Sequence, residues 1–416
     1  MLEIIPSKLN GKISIVSSKS LSHRYVIAAA LAEGESIISN ILDSDDLVAT
    51  KEALIGLGAT IDGEKIIGTK IKRINKVIDA NESGSTLRFL IPIAMLQDEV
   101  IEFKGKGKLP TRPLNVYKDM FHHKYYFVQR TKNELPLEVK GPLQSGVYML
   151  HGNISSQFIT GLLYALPLVN GDSKIIVTTE LESKGYVDLT LDVLKQFGIE
   201  IEYKQNVFYI KGNQKYLPLK TSVEGDYSGA AFFIVAGLIS NGLILNGLRE
   251  ESLQGDKEII NFAKQMGGKL NFVDGKLVVE KSDTKGITID IGQTPDLGPI
   301  LMVLGSLSEG VTTITNASRL RIKESDRLDA MVKNLTKLGV KIEVDGDTAK
   351  IYGQKELKGG VTVETFGDHR IAMSMAVAAL RCDSPITLDD EKVVSKSYPT
   401  FFEEFVRLGG ITKWKI

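Results

Sequence analysis

One recurring unit constrains this chain more than any other feature: a short amphipathic helix that ends on a glycine and runs directly into a strand. It occurs at Leu57-Gly58, Phe197-Gly198, Met266-Gly267, Leu338-Gly339 and Leu408-Gly409. Each glycine is expected to take the left-handed position that ends a helix, and the residues after it then start a strand. A sixth copy is expected near Val116 to Phe121, where His122-His123 stands in place of the glycine. A second unit precedes each of these, a polar start followed by a strongly apolar helix, at Ser22, Ser85, Ser155, Asp226, Asp296 and Asp368. Ser and Asp are good helix caps.

The repeat period is roughly 70 residues, longer than the 20–50 of solenoids, so each copy reads as a small βαβαββ subdomain. Six such units over 416 residues exceed one ordinary core, which predicts two lobes of three units. The join is expected near Thr221 to Asp226, and Leu2 to Ile5 is a candidate strand for the C-terminal lobe. The stretch Ala230 to Leu245 is interrupted by Gly237 and Ser240-Asn241-Gly242, so it reads as a buried helix turning into a strand rather than a membrane span.

Lys+Arg and Asp+Glu are equal at 51 each, which argues against broad electrostatic binding to nucleic acid or membrane but allows a local basic pocket. The N-terminus shows no cationic region followed by an apolar core, and the one cysteine, Cys382, forbids an internal disulfide. A cytoplasmic protein is the expectation. Cys382 follows the apolar run Ile371 to Leu380 and is expected to pack rather than react.

Helix N-termini present free N–H groups and hold anions. Several cations gather near these starts: Lys19, Arg24, Arg88 and Arg370. Others sit in loops: Arg112, Lys323, Arg327 and Lys396. One arginine near a helix start is ordinarily a salt-bridged surface group; the joint pattern is what points to a small, highly anionic ligand. Asp296 and Glu324 stand among these cations. On the residues alone they are equally proton carriers or a structural cap and ion pair.

The chain resembles the 3-phosphoshikimate 1-carboxyvinyltransferase family of enolpyruvyl transferases. The matching segments are Ser18-Lys-Ser-Leu-Ser-His-Arg24, Ser83-Gly-Ser-Thr-Leu-Arg88, Pro110-Thr-Arg-Pro113, Gly152-Asn-Ile-Ser-Ser-Gln-Phe158, Glu180-Leu-Glu-Ser-Lys-Gly-Tyr186, Val223-Glu-Gly-Asp226, Pro295-Asp-Leu297, Arg321-Ile-Lys-Glu-Ser-Asp-Arg327, Gly367-Asp-His-Arg370 and Lys396-Ser-Tyr-Pro399. The resemblance implies an α/β fold, a two-lobed inside-out α/β barrel-like arrangement of six βαβαββ repeats. Residues 1–16 with 225–416 would form the phosphoenolpyruvate and catalytic lobe, and residues 17–224 the shikimate 3-phosphate lobe. Lobes that close on the acceptor would exclude water. The resemblance assigns shikimate 3-phosphate to Lys19, Ser20, Arg24, Ser155, Ser156, Gln157, Ser183, Tyr186, Asp296 and Lys323. It assigns phosphoenolpyruvate to Lys19, Gly84, Arg112, Gln157, Arg327, Arg370 and Lys396. Asp296 would take the acceptor proton, Glu324 would handle protonation of the methylene carbon, and Lys19 would bridge both substrates. It implies no metal or organic cofactor, no nucleic acid or membrane partner, and a monomer.

The chain departs from the family pattern at Glu82, at Arg319 and over Phe121 to Glu134; Arg319 is left outside the expected site. The nearest rival, a UDP-N-acetylglucosamine enolpyruvyl transferase, normally carries a reactive cysteine in the loop that here reads Gly105-Lys-Gly-Lys-Leu-Pro-Thr-Arg112. An RNA 3′-end-processing protein on similar repeats would need a basic face with exposed aromatics, and 7% aromatics with zero net charge gives it no support. A catalytically silent scaffold is disfavoured by the intact Lys19, Asp296, Glu324, Arg370 and Lys396.

Overall fold

The computed structural model describes residues 1–415. The chain forms two compact units, Lys19–Val223 and, separately, Met1–Ser18 together with the chain from Glu224 onward. The described residues build six four-stranded sheets.

The second repeat shows the pattern. Strand Val77–Asp79 leads through helix Gly84–Ala94 to the parallel strand Ile101–Lys104. Helix Asn115–Phe121 follows, and then an antiparallel hairpin of Tyr126–Gln129 and Leu137–Lys140, whose second strand pairs with Ile101–Lys104. The repeats beginning at Val147–Leu150 and Thr288–Asp290 are built the same way. The other three exchange one strand along the chain. Lys220–Ser222 supplies the parallel strand beside Gly34–Ser39, and Lys12–Ser14 the one beside Leu243–Asn246. Leu2–Ile5 lies antiparallel between Ile386–Leu388 and Ile411–Trp414.

Each unit has its own apolar core. Helices fill these cores and strands cover them. All of helix Tyr227–Ile239 and all of Gly298–Ser306 are buried. A helix apolar on every side belongs at the centre of a core. The sheets instead alternate, as at Val147–Leu150, where Val147 and Met149 are exposed while Tyr148 and Leu150 are buried. This is the inside-out α/β arrangement. No described helix is long and apolar enough to cross a membrane.

All five anticipated glycines have positive φ: Gly58 108°, Gly198 79°, Gly267 96°, Gly339 81° and Gly409 106°. The sixth copy is present without one. Helix Asn115–Phe121 turns through Lys124 and Tyr125 N–H bonds to the Phe121 carbonyl and enters the strand at Tyr126. The segment from Phe121 to Glu134, unrecognisable in sequence, therefore follows the same plan.

Three helix starts differ from the sequence reading, one of them at Asp296, which lies in the turn ahead of helix Gly298–Ser306. The first helix begins at Lys19 rather than Ser22, whose buried hydroxyl accepts from Leu42 N at 3.0 Å. The third begins at Gly84, capped by Ser83 through Thr86 N at 3.1 Å, so Ser85 is inside the helix.

Candidate active site

Several polar and basic groups of the N-terminal-half unit stand at the starts of its buried helices. Pro92 lies inside helix Gly84–Ala94 and has no N–H for the Arg88 carbonyl. Buried Tyr117 compensates, its hydroxyl lying 2.8 Å from Arg88 O and 3.0 Å from Phe158 O. Gly161 makes this possible, since a Cβ there would lie 2.4 Å from that hydroxyl and 2.5 Å from Arg88 O. The helices Gly84–Ala94 and Ser156–Ala165 are thus locked together. Across them Arg88 Nη1 donates to Gln157 Oε1 at 2.8 Å, Arg88 Nη2 to Pro113 O at 3.0 Å, and Gln157 Nε2 to Ser85 Oγ at 3.0 Å. Arg88 thereby holds the Gln157 amide in place.

Ser155 caps its helix, accepting from Gln157 N at 3.3 Å, and Ser156 is buried in the first turn. Gly84 opens the neighbouring helix directly beneath Arg112. A Cβ at Gly84 would stand 2.8 Å from Arg112 Nη1, so the guanidinium rests against the backbone. Glu82, one of the family departures, packs on the same loop: a Cβ at Gly107 would meet its Oε2 at 2.5 Å.

Lys19 pairs with Asp46 at 3.1 Å, and both side chains are mostly buried. A polar network fixes Asp46: Thr86 Oγ1 donates to its carbonyl at 3.3 Å, and Thr50 sits 2.6 Å from Thr86 and 2.8 Å from His23 Nδ1. Burial, then the charges of Lys19 and Arg24, push the His23 imidazole well below its ordinary pKa, so it is neutral. Arg24 donates to Ser20 O and Tyr186 O, each at 2.8 Å, and to Thr190 Oγ1 at 2.9 Å, with Phe89 and Tyr186 rings against its face. It therefore ties helix Lys19–Leu31 to helix Lys184–Gln196. Ser183 precedes the latter helix, fully buried, with a left-handed φ of 51°. A serine held there is strained, a feature that concentrates at functional loops.

The C-terminal-half unit carries the carboxylates. Asp296 does not cap a helix; it sits in the turn Pro295–Leu297 ahead of helix Gly298–Ser306. Its Oδ1 is 2.8 Å from Arg327 Nη1 and 3.1 Å from Lys323 Nζ, and its Oδ2 is 3.2 Å from Arg370 Nη2. Burial alone would raise its pKa, but Arg370, Lys323 and Arg327 together hold it well below the usual carboxylate range. Asp296 is an ionised carboxylate.

Arg327 is itself embraced by carboxylates: Asp296, Glu324 through Nη2 at 2.6 Å, and fully buried Asp368 through Nε at 2.8 Å. It opens helix Arg327–Lys337, where the dipole disfavours a cation. The three anions overcome both that and burial, and its pKa is raised. Asp368 also caps helix His369–Ala379, accepting from Arg370 N at 2.9 Å, and takes Ser325 Oγ at 3.0 Å. Lys396 donates to Gly367 O at 2.9 Å on the same turn.

Burial lowers Lys323 to about 8, and buried Arg319, at the start of the same 3-10 turn, adds to the lowering. Arg319 therefore sits in the electrostatic surroundings of Lys323 rather than away from them. Sequence reasoning missed Asp46, Thr50, Thr86 and Thr190, and gave Asp368 only as a cap. Their signal was a Ser/Thr or Asp on the buried side of a helix, which any satisfied core polar group shares. Cys382 is buried, with its thiol pushed up to about 12 chiefly by burial. It packs.

This fold is that of the EPSP synthases, a class of enolpyruvyl transferases. EPSP synthase from Acinetobacter baumannii superposes with a TM-score of 0.84 at 26% identity over 99% of both chains. The enolpyruvyl transferase NikO from Streptomyces tendae shares the fold, with a TM-score of 0.81 at 18% identity over 99% of this chain and 98% of that one.

Residues 4–405 match the family described as EPSP synthase (3-phosphoshikimate 1-carboxyvinyltransferase). Proteins of that name from Clostridium novyi (strain NT) and Clostridioides difficile (strain 630) are 49% and 46% identical, over 99% and 100% of this chain and 98% and 99% of theirs. The chain belongs to the EPSP synthase family.

Proposed function

We propose that this protein transfers the enolpyruvyl group of phosphoenolpyruvate to the 5-hydroxyl of shikimate 3-phosphate, releasing phosphate, in the shikimate pathway to the aromatic amino acids. Family membership over nearly the whole chain supports the activity. The observation that carries the mechanism is Asp296, ionised and enclosed by Lys323, Arg327 and Arg370.

In this reading Glu324 serves protonation of the phosphoenolpyruvate methylene carbon, which leaves an oxocarbenium-like centre at the adjacent carbon. The acceptor oxygen attacks that centre and gives its proton to Asp296. The new methyl group then returns a proton to Glu324 as the carbon–oxygen bond to phosphate breaks, and the phosphate leaves with the proton that Asp296 had taken. This restores the alkene and frees phosphate.

Arg112, Gln157, Arg327, Arg370 and Lys396, with Lys19 shared, are assigned to phosphoenolpyruvate, and Gly84 leaves room beside it. Lys19, Ser20, Arg24, Ser155, Ser156, Gln157, Ser183, Tyr186, Asp296 and Lys323 are assigned to shikimate 3-phosphate. Cations aimed at the carboxylate and phosphate oxygens stabilise the charge that the adduct develops, most strongly where water is excluded. The protein is proposed to act as a cytoplasmic monomer.

Mass spectrometry of reactions with phosphoenolpyruvate and either shikimate 3-phosphate or UDP-N-acetylglucosamine tests the assignment. An enolpyruvyl ether of shikimate 3-phosphate alone is expected. An ether of the nucleotide sugar alone, or of neither acceptor, would sink it.

A further inference from the structure

Tyr117 is assigned to neither substrate, yet it joins two helices that present groups to them. It is fully buried in helix Asn115–Phe121, with its backbone N–H anchored to Leu114 O at 3.0 Å. Its ring meets the Phe158 ring edge-on at 4.8 Å and stacks on Phe121 at 5.3 Å, so the side chain is held from two directions. Its one hydroxyl hydrogen faces two main-chain carbonyls: Arg88 O at 2.8 Å in helix Gly84–Ala94, and Phe158 O at 3.0 Å in helix Ser156–Ala165. Burial holds the phenol well above its ordinary pKa, so the group stays a donor.

The Arg88 carbonyl needs this donor because Pro92 denies it a helical one, and a buried carbonyl left unpaired is costly. The helices can approach this closely because Gly161 has no side chain; a Cβ there would also stand 3.2 Å from Pro92 Cγ. From this contact two side-chain bonds lead toward the site. The Arg88 guanidinium reaches Gln157 Oε1 at 2.8 Å and Pro113 O at 3.0 Å, and Pro113 directly follows Arg112. Phe158, the other residue tied by the hydroxyl, directly follows Gln157, and the Arg88 guanidinium lies 5.0 Å from its ring centroid.

We propose that Tyr117 is a positioning residue for phosphoenolpyruvate: by tying Arg88 O to Phe158 O it sets the spacing of the two helices, and with it the place of the Gln157 amide and of Arg112. The bonds Arg88–Gln157 and Gln157–Ser85 cross the same interface as the tie, so a shift of one helix against the other strains both together. Substrate-positioning groups lose their effect over displacements of about 1 Å. The inference rests on the assignment of Gln157 and Arg112 to phosphoenolpyruvate.

The test compares KM for phosphoenolpyruvate, kcat and the urea midpoint in the wild type, Tyr117→Phe, Tyr117→Phe with Pro92→Ala, Tyr216→Phe and Gln157→Ala. Tyr117→Phe keeps the ring and deletes the tie; KM is expected to rise about tenfold, the scale of one buried hydrogen bond, with kcat changed less. Pro92→Ala returns a helical N–H to Arg88 O but not the tie to Phe158. In the double variant the midpoint should therefore recover while KM stays high, and this variant carries the test should Tyr117→Phe alone not fold. Tyr216 is the structural control: its buried hydroxyl bonds Tyr164 O at 2.8 Å, near the far end of helix Ser156–Ala165. Tyr216→Phe should lower the midpoint and leave KM unchanged. With KM raised in Gln157→Ala, the inference is overturned by a wild-type KM in folded Tyr117→Phe, by a KM that recovers with the midpoint in the double variant, or by an equal rise in Tyr216→Phe; the substrate assignment then stands. An unchanged KM in Gln157→Ala overturns that assignment and the inference with it.

Discussion

Arg327 reaches Asp296 at 2.8 Å while its Nε stays 2.8 Å from Asp368, so one side chain ties the candidate base to a carboxylate that is wholly buried. Asp368 in turn caps the helix that presents Arg370. The ion cluster is therefore part of the framework as well as part of the site.

Removing the guanidinium should show this. Arg327→Met leaves Asp368 and Asp296 without their shared cation, and breaking a buried pair on one side costs about 3–5 kcal/mol. Urea denaturation should find the midpoint lowered accordingly with the slope unchanged. A loss below about 1 kcal/mol, the range of exposed pairs, would mean the cluster carries no structural weight.

Gly84→Ala probes the other unit. The new Cβ would stand 2.8 Å from Arg112 Nη1, so the guanidinium must move. Losing one charge-assisted bond of roughly 1.5–3 kcal/mol should raise KM for phosphoenolpyruvate about tenfold or more, with kcat changed far less. Unchanged KM in the folded variant would remove Arg112 from that substrate.

Lys323 gives a pH dependence of definite sign. Burial lowers it to about 8, so it is a cation below that pH and loses its charge above. Only the cation attracts the acceptor's anionic groups. Steady-state kinetics should show KM for shikimate 3-phosphate rising above pH 8, approaching about tenfold per pH unit. Lys323→Arg should push this rise out of range. A wild-type KM flat to well above pH 8 would contradict the assignment.

Much of this was legible before any coordinates, and for physical reasons. The glycines at 58, 198, 267, 339 and 409 announced helix ends because the left-handed backbone there disfavours a side chain, and all five have positive φ. The sixth end was illegible because His122 and His123 replace that signal with ordinary turn hydrogen bonds. Among the polar groups, Asp296, Lys323, Arg327 and Arg370 could be named from motifs, but not their mutual arrangement. That Asp296 stands ahead of its helix and takes three cations, instead of capping it, depends on segments far apart in sequence. Asp46 and Thr86 were hidden for a similar reason. Their partners are 27 and 40 residues away in the chain, and nothing local marks a buried hydroxyl as a strut for a lysine.

The proposed role of Asp296 is to accept the proton of the acceptor hydroxyl. Its most direct test is the rate of phosphate release from phosphoenolpyruvate in the presence of shikimate 3-phosphate, compared between the wild type and a folded Asp296→Asn variant. A loss of about 10²–10⁴-fold in kcat, the range of general acid–base catalysis, is the expected result. A variant that releases phosphate at the wild-type rate would exclude Asp296 as the base.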